Sequence, residues 1–142
     1  MPYTFLENVT ADIAFQAEEE SLEALFRTCG DAVTNTMVED LNTLRFLEIR
    51  TIELSHEQLD LLLFDFLQEF IYFKDAEQLL LRASQLSISK ENSHYRLKAL
   101  LRGEALDPPR HEQRIDVKAV TLHQFRLEKV SNGWMAHVIL DI

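Results

Sequence analysis

Between Leu79 and Leu140 the chain shows no helical periodicity, and this constrains its fold more than any other feature. The stretch divides into strand-length runs separated by turn residues. Leu79–Ser89 and His94–Arg102 flank Lys90-Glu91-Asn92-Ser93, which reads as a hairpin turn. Residues 103–114 read as a polar loop. From Ile115 to Leu127 the odd positions make one face, with Val117, Ala119, Phe125 and Leu127 among them. Ser131-Asn132-Gly133 is a turn signal ahead of a last strand, Trp134–Leu140. A doubly wound parallel sheet needs a helix after nearly every strand, so that class is excluded.

Helical signals are confined to the first half. Tyr3–Leu6 reads as a short strand, and Asp12–Glu18 alternates with Ile13, Phe15 and Ala17 on one face. Ser21 starts a helix whose apolar face is Leu22, Leu25, Phe26, Cys29, Val33 and Met37. Leu44–Leu54 reads as a strand. Ser55 and Gln58 then stand in capping-box spacing ahead of a second helix, about His56 to Lys74. Leu59, Leu62, Leu63, Phe66, Leu67, Phe70 and Ile71 give that helix a broad apolar stripe, widened by Leu61, Phe64 and Phe73. The expected fold is a single α+β domain spanning residues 1–142. It is a two-layer sandwich with a mostly antiparallel sheet of about six or seven strands, covered on one face by two helices.

Composition narrows the partners. Lys and Arg number 14 against 24 Asp and Glu, a formal charge of −10. Such a field opposes nucleic acid and anionic membranes, so direct binding of either is not expected. It favours cations or a basic protein surface. One cysteine, Cys29, excludes an internal disulfide. No signal-like segment opens the sequence and no apolar run reaches the ~20 residues of a bilayer span, so a cytoplasmic protein is expected.

Standard catalytic motifs are missing: no GxSxG, P-loop, GxGxxG, HExxH or CxxC. Cys29 sits on an apolar face, which argues against covalent catalysis. The five histidines share no metal-ligand spacing. Three clusters remain. One is Thr10-Ala11-Asp12; one is the dense polar segment Arg102 to Glu112; the third is Asp141-Ile142 with a terminal carboxylate. If the last strand pairs to its end, it fixes two carboxylates whose reference pKa values lie near 3–4. Like charges ~4 Å apart repel by about 4 kcal/mol at an effective dielectric of ~20. Such a cluster calls for a cation or a basic partner, and all-oxygen ligands suit a hard ion. Sequence alone does not place Asp12 beside the terminus, and each cluster also reads as ordinary solvated surface.

The same clusters carry a family resemblance. The stretches are Phe5-Leu6-Glu7, Thr10-Ala11-Asp12-Ile13-Ala14-Phe15, Ser21-Leu22-Glu23-Ala24-Leu25-Phe26 and Leu61-Leu62-Leu63-Phe64-Asp65-Phe66-Leu67-Gln68-Glu69. Then come Arg102-Gly103-Glu104, Asp107-Pro108 with Arg110-His111-Glu112, Asp116 to His123, Asn132-Gly133-Trp134 and Leu140-Asp141-Ile142. In this order, across the whole chain, they resemble the archeases. The resemblance implies a protein cofactor, not an enzyme. It would promote guanylylation and turnover of the GTP-dependent RtcB-type RNA ligase of tRNA splicing and RNA repair. It implies a metal site of Asp12, Asp141 and Ile142 holding a divalent cation, Ca²⁺ before Mg²⁺ or Mn²⁺. Lys118 would serve activation, and Arg110, His111 and Glu104 fall in the family's most specific stretch. One departure stands out. The family usually reads D/E-H-T-A-D where this chain has Asn8-Val9-Thr10-Ala11-Asp12, so no role of that histidine carries over. Two other classes stay open: a metal-dependent phosphoesterase using Asp12, Asp141 and His111, and a metal-independent chaperone or adaptor.

Overall fold

The structure, a computed structural model, describes residues 2–6 and 12–142. Among the described residues, seven strands and two α-helices follow one another. They are β1 (Tyr3–Leu6), β2 (Asp12–Glu19), α1 (Leu22–Met37), β3 (Glu48–His56), α2 (Leu59–Glu77), β4 (Leu79–Glu91), β5 (His94–Ala105), β6 (Ala119–Val130) and β7 (Gly133–Asp141), with a 3₁₀ turn at Leu41–Thr43. Every strand pairing among the described residues is antiparallel. The α+β sandwich expected from the pattern is present, but its strands divide into two sheets, β1-β2-β7-β6 and β3-β5-β4. Alternation reports which face of a strand is apolar; it carries no record of which strand lies beside it.

Both helices touch strands of both sheets, and one continuous core results. From the four-stranded sheet come Phe15, Ala17, Ala136, Val138 and Leu140; from the other, Ile52, Leu81, Leu97 and Leu101. Phe26 and Phe66 pack ring to ring between the helices, with centroids 5.7 Å apart. Burying each Leu or Phe side chain contributes about 1.5–3 kcal/mol. Gly30 lets the helices approach: a Cβ there would stand 2.6 Å from the Phe70 ring.

α1 begins where its sequence says, because the Ser21 hydroxyl accepts the Ala24 N–H at 3.1 Å. α2 does not. Ser55 belongs to β3, the cap residue Gln58 makes no side-chain cap bond, and the Gln58 N–H goes to His56 Nδ1 at 3.0 Å. The capping-box spacing was outcompeted by strand pairing, since Ser55 lies opposite Arg96 of β5. β3 itself starts at Glu48, four residues after the expected Leu44, with the 3₁₀ turn occupying the approach.

The second half holds two further differences. β5 continues to Ala105, so the head of the expected polar loop is strand, and Gly103 and Glu104 are buried. β6 starts at Ala119 instead of Ile115. Its register against β7 shifts between Thr121 and Arg126. That irregularity exchanges the faces: Val120 is buried in the core before it, and Phe125 and Leu127 pack against the core after it. A single odd face from Ile115 to Leu127 therefore does not exist.

Candidate functional site

β2 and β7 run side by side at the centre of the four-stranded sheet. Their register makes Asp12 and Asp141 direct partners, as it does Ile13 with Leu140 and Phe15 with Val138. Directly opposed residues share a face, with Cβ atoms roughly 4.5–5.5 Å apart. Because Phe15, Val138 and Leu140 point into the core, the two aspartates lie on the other face. Asp12, Asp141 and Ile142 are all half-buried.

β6 completes the group from the other side of β7. Ala119 is the Cα partner of Asp141, and the Lys118 N–H donates to the Asp141 carbonyl at 2.8 Å. Lys118 thus stands just ahead of the strand, not within it, and its side chain is exposed. Val117 beside it is fully buried and Lys118 is exposed, the alternation expected of these two positions, although both precede the strand. Three positions singled out separately in the sequence are brought together here: 12, 118 and 141.

The donor set for a cation is two side-chain carboxylates beside Ile142. All are hard oxygen donors, which fits Ca²⁺, Mg²⁺ or Mn²⁺ and not a thiophilic ion. Among the described residues no His, Cys, Asp or Glu side chain adds a third ligand to make a recognisable metal cluster. Asn8, Val9, Thr10 and Ala11, the residues of the family departure and its flank, lie outside the described residues.

Glu104, Arg110 and His111 are placed elsewhere, at the end of the three-stranded sheet, where Glu104 pairs with Leu80. Glu104 and His111 are buried. One Glu104 oxygen takes the Arg45 N–H at 2.7 Å and the His111 Nε2–H at 3.0 Å; the other meets the Arg110 guanidinium. The tautomer follows from His111 Nδ1, which accepts the Asp107 N–H at 2.9 Å. Arg110 also donates to the Thr43 carbonyl at 2.8 Å. Burial works against the Glu104 charge, but the bonds from Arg110, the Arg45 amide and His111 outweigh it and hold the pKa down at about 2. Every polar atom of this carboxylate is engaged. The cluster ties the 106–114 segment to β5 and the 3₁₀ turn, and none of these bonds involves Asp12 or Asp141.

Sequence reasoning missed two α2 residues that reach the segment around Lys118. Lys74 Nζ donates to Asp116 at 2.5 Å and to the Val117 carbonyl at 3.0 Å. Gln68 Oε1 accepts the Val120 N–H at 3.2 Å. A polar residue at the edge of an apolar helix stripe carries no mark of its partner, so no signal in the sequence singled them out.

Comparison with known proteins bears on this arrangement. The model of the archease protein family matches residues 3–142. Protein archease of Pyrococcus abyssi is 38% identical over 134 residues, 94% of each chain. That of Methanosarcina mazei is 35% identical over 141 residues, 99% of this chain and 95% of the relative. The solution structure of Methanobacterium thermoautotrophicum protein 1598 superposes with a TM-score of 0.86 at 30% identity, covering 99% of both chains. The crystal structure of a Thermotoga maritima archease, described as a possible chaperone, shares the fold at a TM-score of 0.57 and 18% identity, over 96% of this chain and 95% of that one. The register that joins Asp12 to Asp141 is therefore built on a fold and a sequence that agree along the whole chain: this protein belongs to the archease family.

Proposed function

We propose that this protein is a non-enzymatic activator of an RtcB-type, GTP-dependent RNA ligase, acting in tRNA splicing and RNA repair. It works through the end of the four-stranded sheet where Asp12, Asp141 and Lys118 meet. The supporting observation is the pairing of Asp12 with Asp141 across β2 and β7, with Lys118 bonded to the Asp141 backbone. Asp12, Asp141 and the Ile142 carboxylate would hold a divalent cation, Ca²⁺ first. A cation there neutralises two like charges and presents a positive centre to phosphate oxygens or a partner carboxylate. The exposed Lys118 ammonium adds a second positive group, suited to a triphosphate or an acidic partner side chain. Promoting guanylylation then means helping a partner's own nucleotide site to bind and orient GTP, with no bond made or broken on this chain.

The competing phosphoesterase reading needs His111 near Asp12 and Asp141. Its imidazole instead has both ring nitrogens committed, to Glu104 and to the Asp107 amide. A chaperone or adaptor reading has one observation in its favour: Phe46, Leu47 and Ile49 are exposed by 52%, 65% and 49%. Contiguous exposed apolar residues suit a protein contact. A ligase guanylylation assay with Asp12→Ala, Lys118→Ala and Asp141→Ala separates these. Loss of stimulation in each supports activation; full stimulation by all three overturns it. Calorimetry with Ca²⁺ on the Asp12→Ala and Asp141→Ala proteins tests the cation independently.

A further inference from the structure

The segment that carries Lys118 has few ladder bonds of its own. β6 begins only at Ala119 and its register breaks after Thr121, so just Ala119, Val120 and Thr121 pair regularly with β7 there. Four further bonds hold this short piece, and three come from α2. On one side Lys74 Nζ binds the Asp116 carboxylate and the Val117 carbonyl. On the other side Gln68 Oε1 takes the Val120 N–H. The fourth is the Lys118 N–H to the Asp141 carbonyl. Lys118 therefore sits between two anchors one residue and two residues away, both projecting from one rigid helix.

From this we infer that Lys74 and Gln68 are positioning residues: they fix where Lys118 stands relative to the Asp12–Asp141 pair. At Lys118 itself the backbone bond to the Asp141 carbonyl contributes to that placement, but its side chain is exposed and leaves the rest to its neighbours. Lys74 is suited to the task. Burial disfavours its charge, but the hydrogen bonds to Asp116 and Asp75 more than compensate and raise its pKa, so the ammonium stays charged and its donors stay available. Val117, whose carbonyl takes the Lys74 bond, also has a fully buried side chain that adds an apolar peg to the same segment. The consequence for function rests on the activator role of Lys118 proposed above; the mechanical claim does not.

The test uses the full chain with Lys74→Met, Lys74→Arg, Gln68→Ala and the milder, surface Asp116→Asn, beside Lys118→Ala. Amide hydrogen exchange is read at Lys118 and Val120, with Phe15 and Val138 as internal references. Lys74→Met and Gln68→Ala are expected to speed exchange at Lys118 and Val120 at least tenfold while the references stay unchanged. They are expected to lower ligase stimulation at least fivefold, with Lys74→Arg restoring most of it. If Lys74→Met does not fold, Gln68→Ala and Asp116→Asn carry the same comparison. Unchanged exchange at Lys118 and Val120 overturns the inference. So does unchanged stimulation by Lys74→Met and Gln68→Ala when Lys118→Ala abolishes it. If Lys118→Ala itself leaves stimulation intact, the activator reading falls, and the exchange result alone decides the anchoring.

Discussion

Asp12 and Asp141 are direct cross-strand partners on one face of the four-stranded sheet, although they come from opposite ends of the chain. Like charges placed directly opposite each other destabilise a sheet. With a chelator present, Asp141→Asn is expected to raise the unfolding free energy by roughly 0.2–1 kcal/mol. Calcium should then stabilise the parent and leave the variant unmoved, since only a ligand of the folded state shifts the equilibrium. Thermal denaturation in chelator and in millimolar calcium checks both signs.

Glu104 gives a pH dependence. Its folded pKa, about 2, lies below the ordinary value of 4.5. A depressed carboxylate contributes stability that is complete above the unfolded pKa and is lost as pH falls through the folded one. The contribution should be constant above pH 5 and decline between roughly pH 4.5 and 2. Glu104→Gln should flatten that part of the curve and cost about 1.5–3 kcal/mol at neutral pH, where charged hydrogen bonds are removed. Urea unfolding of both proteins across that range decides it.

Gly103 is required by backbone proximity. A Cβ at this position would collide with the Leu80 carbonyl of the neighbouring strand. Gly103→Ala must push β4 and β5 apart beside the Glu104 network, and a loss of more than about 4 kcal/mol is expected, in the range reserved for such clashes. Failure to obtain folded Gly103→Ala protein, while Ser131→Ala at the exposed last hairpin turn remains soluble, is the expected contrast.

Cys29 is wholly buried on α1. Burial foremost, and then the Glu19 carboxylate, push its thiol well above the ordinary range. The native protein should not react with a thiol reagent over hours, whereas the urea-unfolded chain should react within minutes. Rapid labelling of the native state would contradict the packing.

The sequence was readable where a residue's own chemistry determines its neighbourhood. Ser21 caps α1, Asn92 takes the left-handed conformation (φ 55°) in the two-residue turn between β4 and β5, and Ser131-Asn132 turns β6 into β7. The apolar stripe of α2 likewise announces its burial. It was unreadable where competition between partners decides. Ser55 has cap chemistry and strand surroundings, and the strand prevails. The break in β6 leaves no signal in a run that alternates well on paper. For the site, the residues 12, 118 and 141 were visible one by one, but their adjacency depends on register. Glu104 and His111 looked like a charged surface loop because a count of polar residues does not show that they satisfy one another inside.

The place of β7 in the sheet has a consequence for how the molecule comes into being. β3, α2, β4 and β5 are consecutive between Glu48 and Ala105, and their sheet closes on near neighbours. β2, by contrast, waits for a strand that follows every other element. Contacts so distant along the chain are the slow ones to form. In a growing polypeptide the three-stranded sheet can settle early, while β1 and β2 have only each other as strand partners, beside α1, until β7 arrives. Asp12 then gains its partner, and Lys118 its backbone acceptor, in the same docking step that finishes the core. A half-made copy presents none of the assembled acidic surface, so in the proposed activator role the capacity to engage a partner and the docking of β7 become one event.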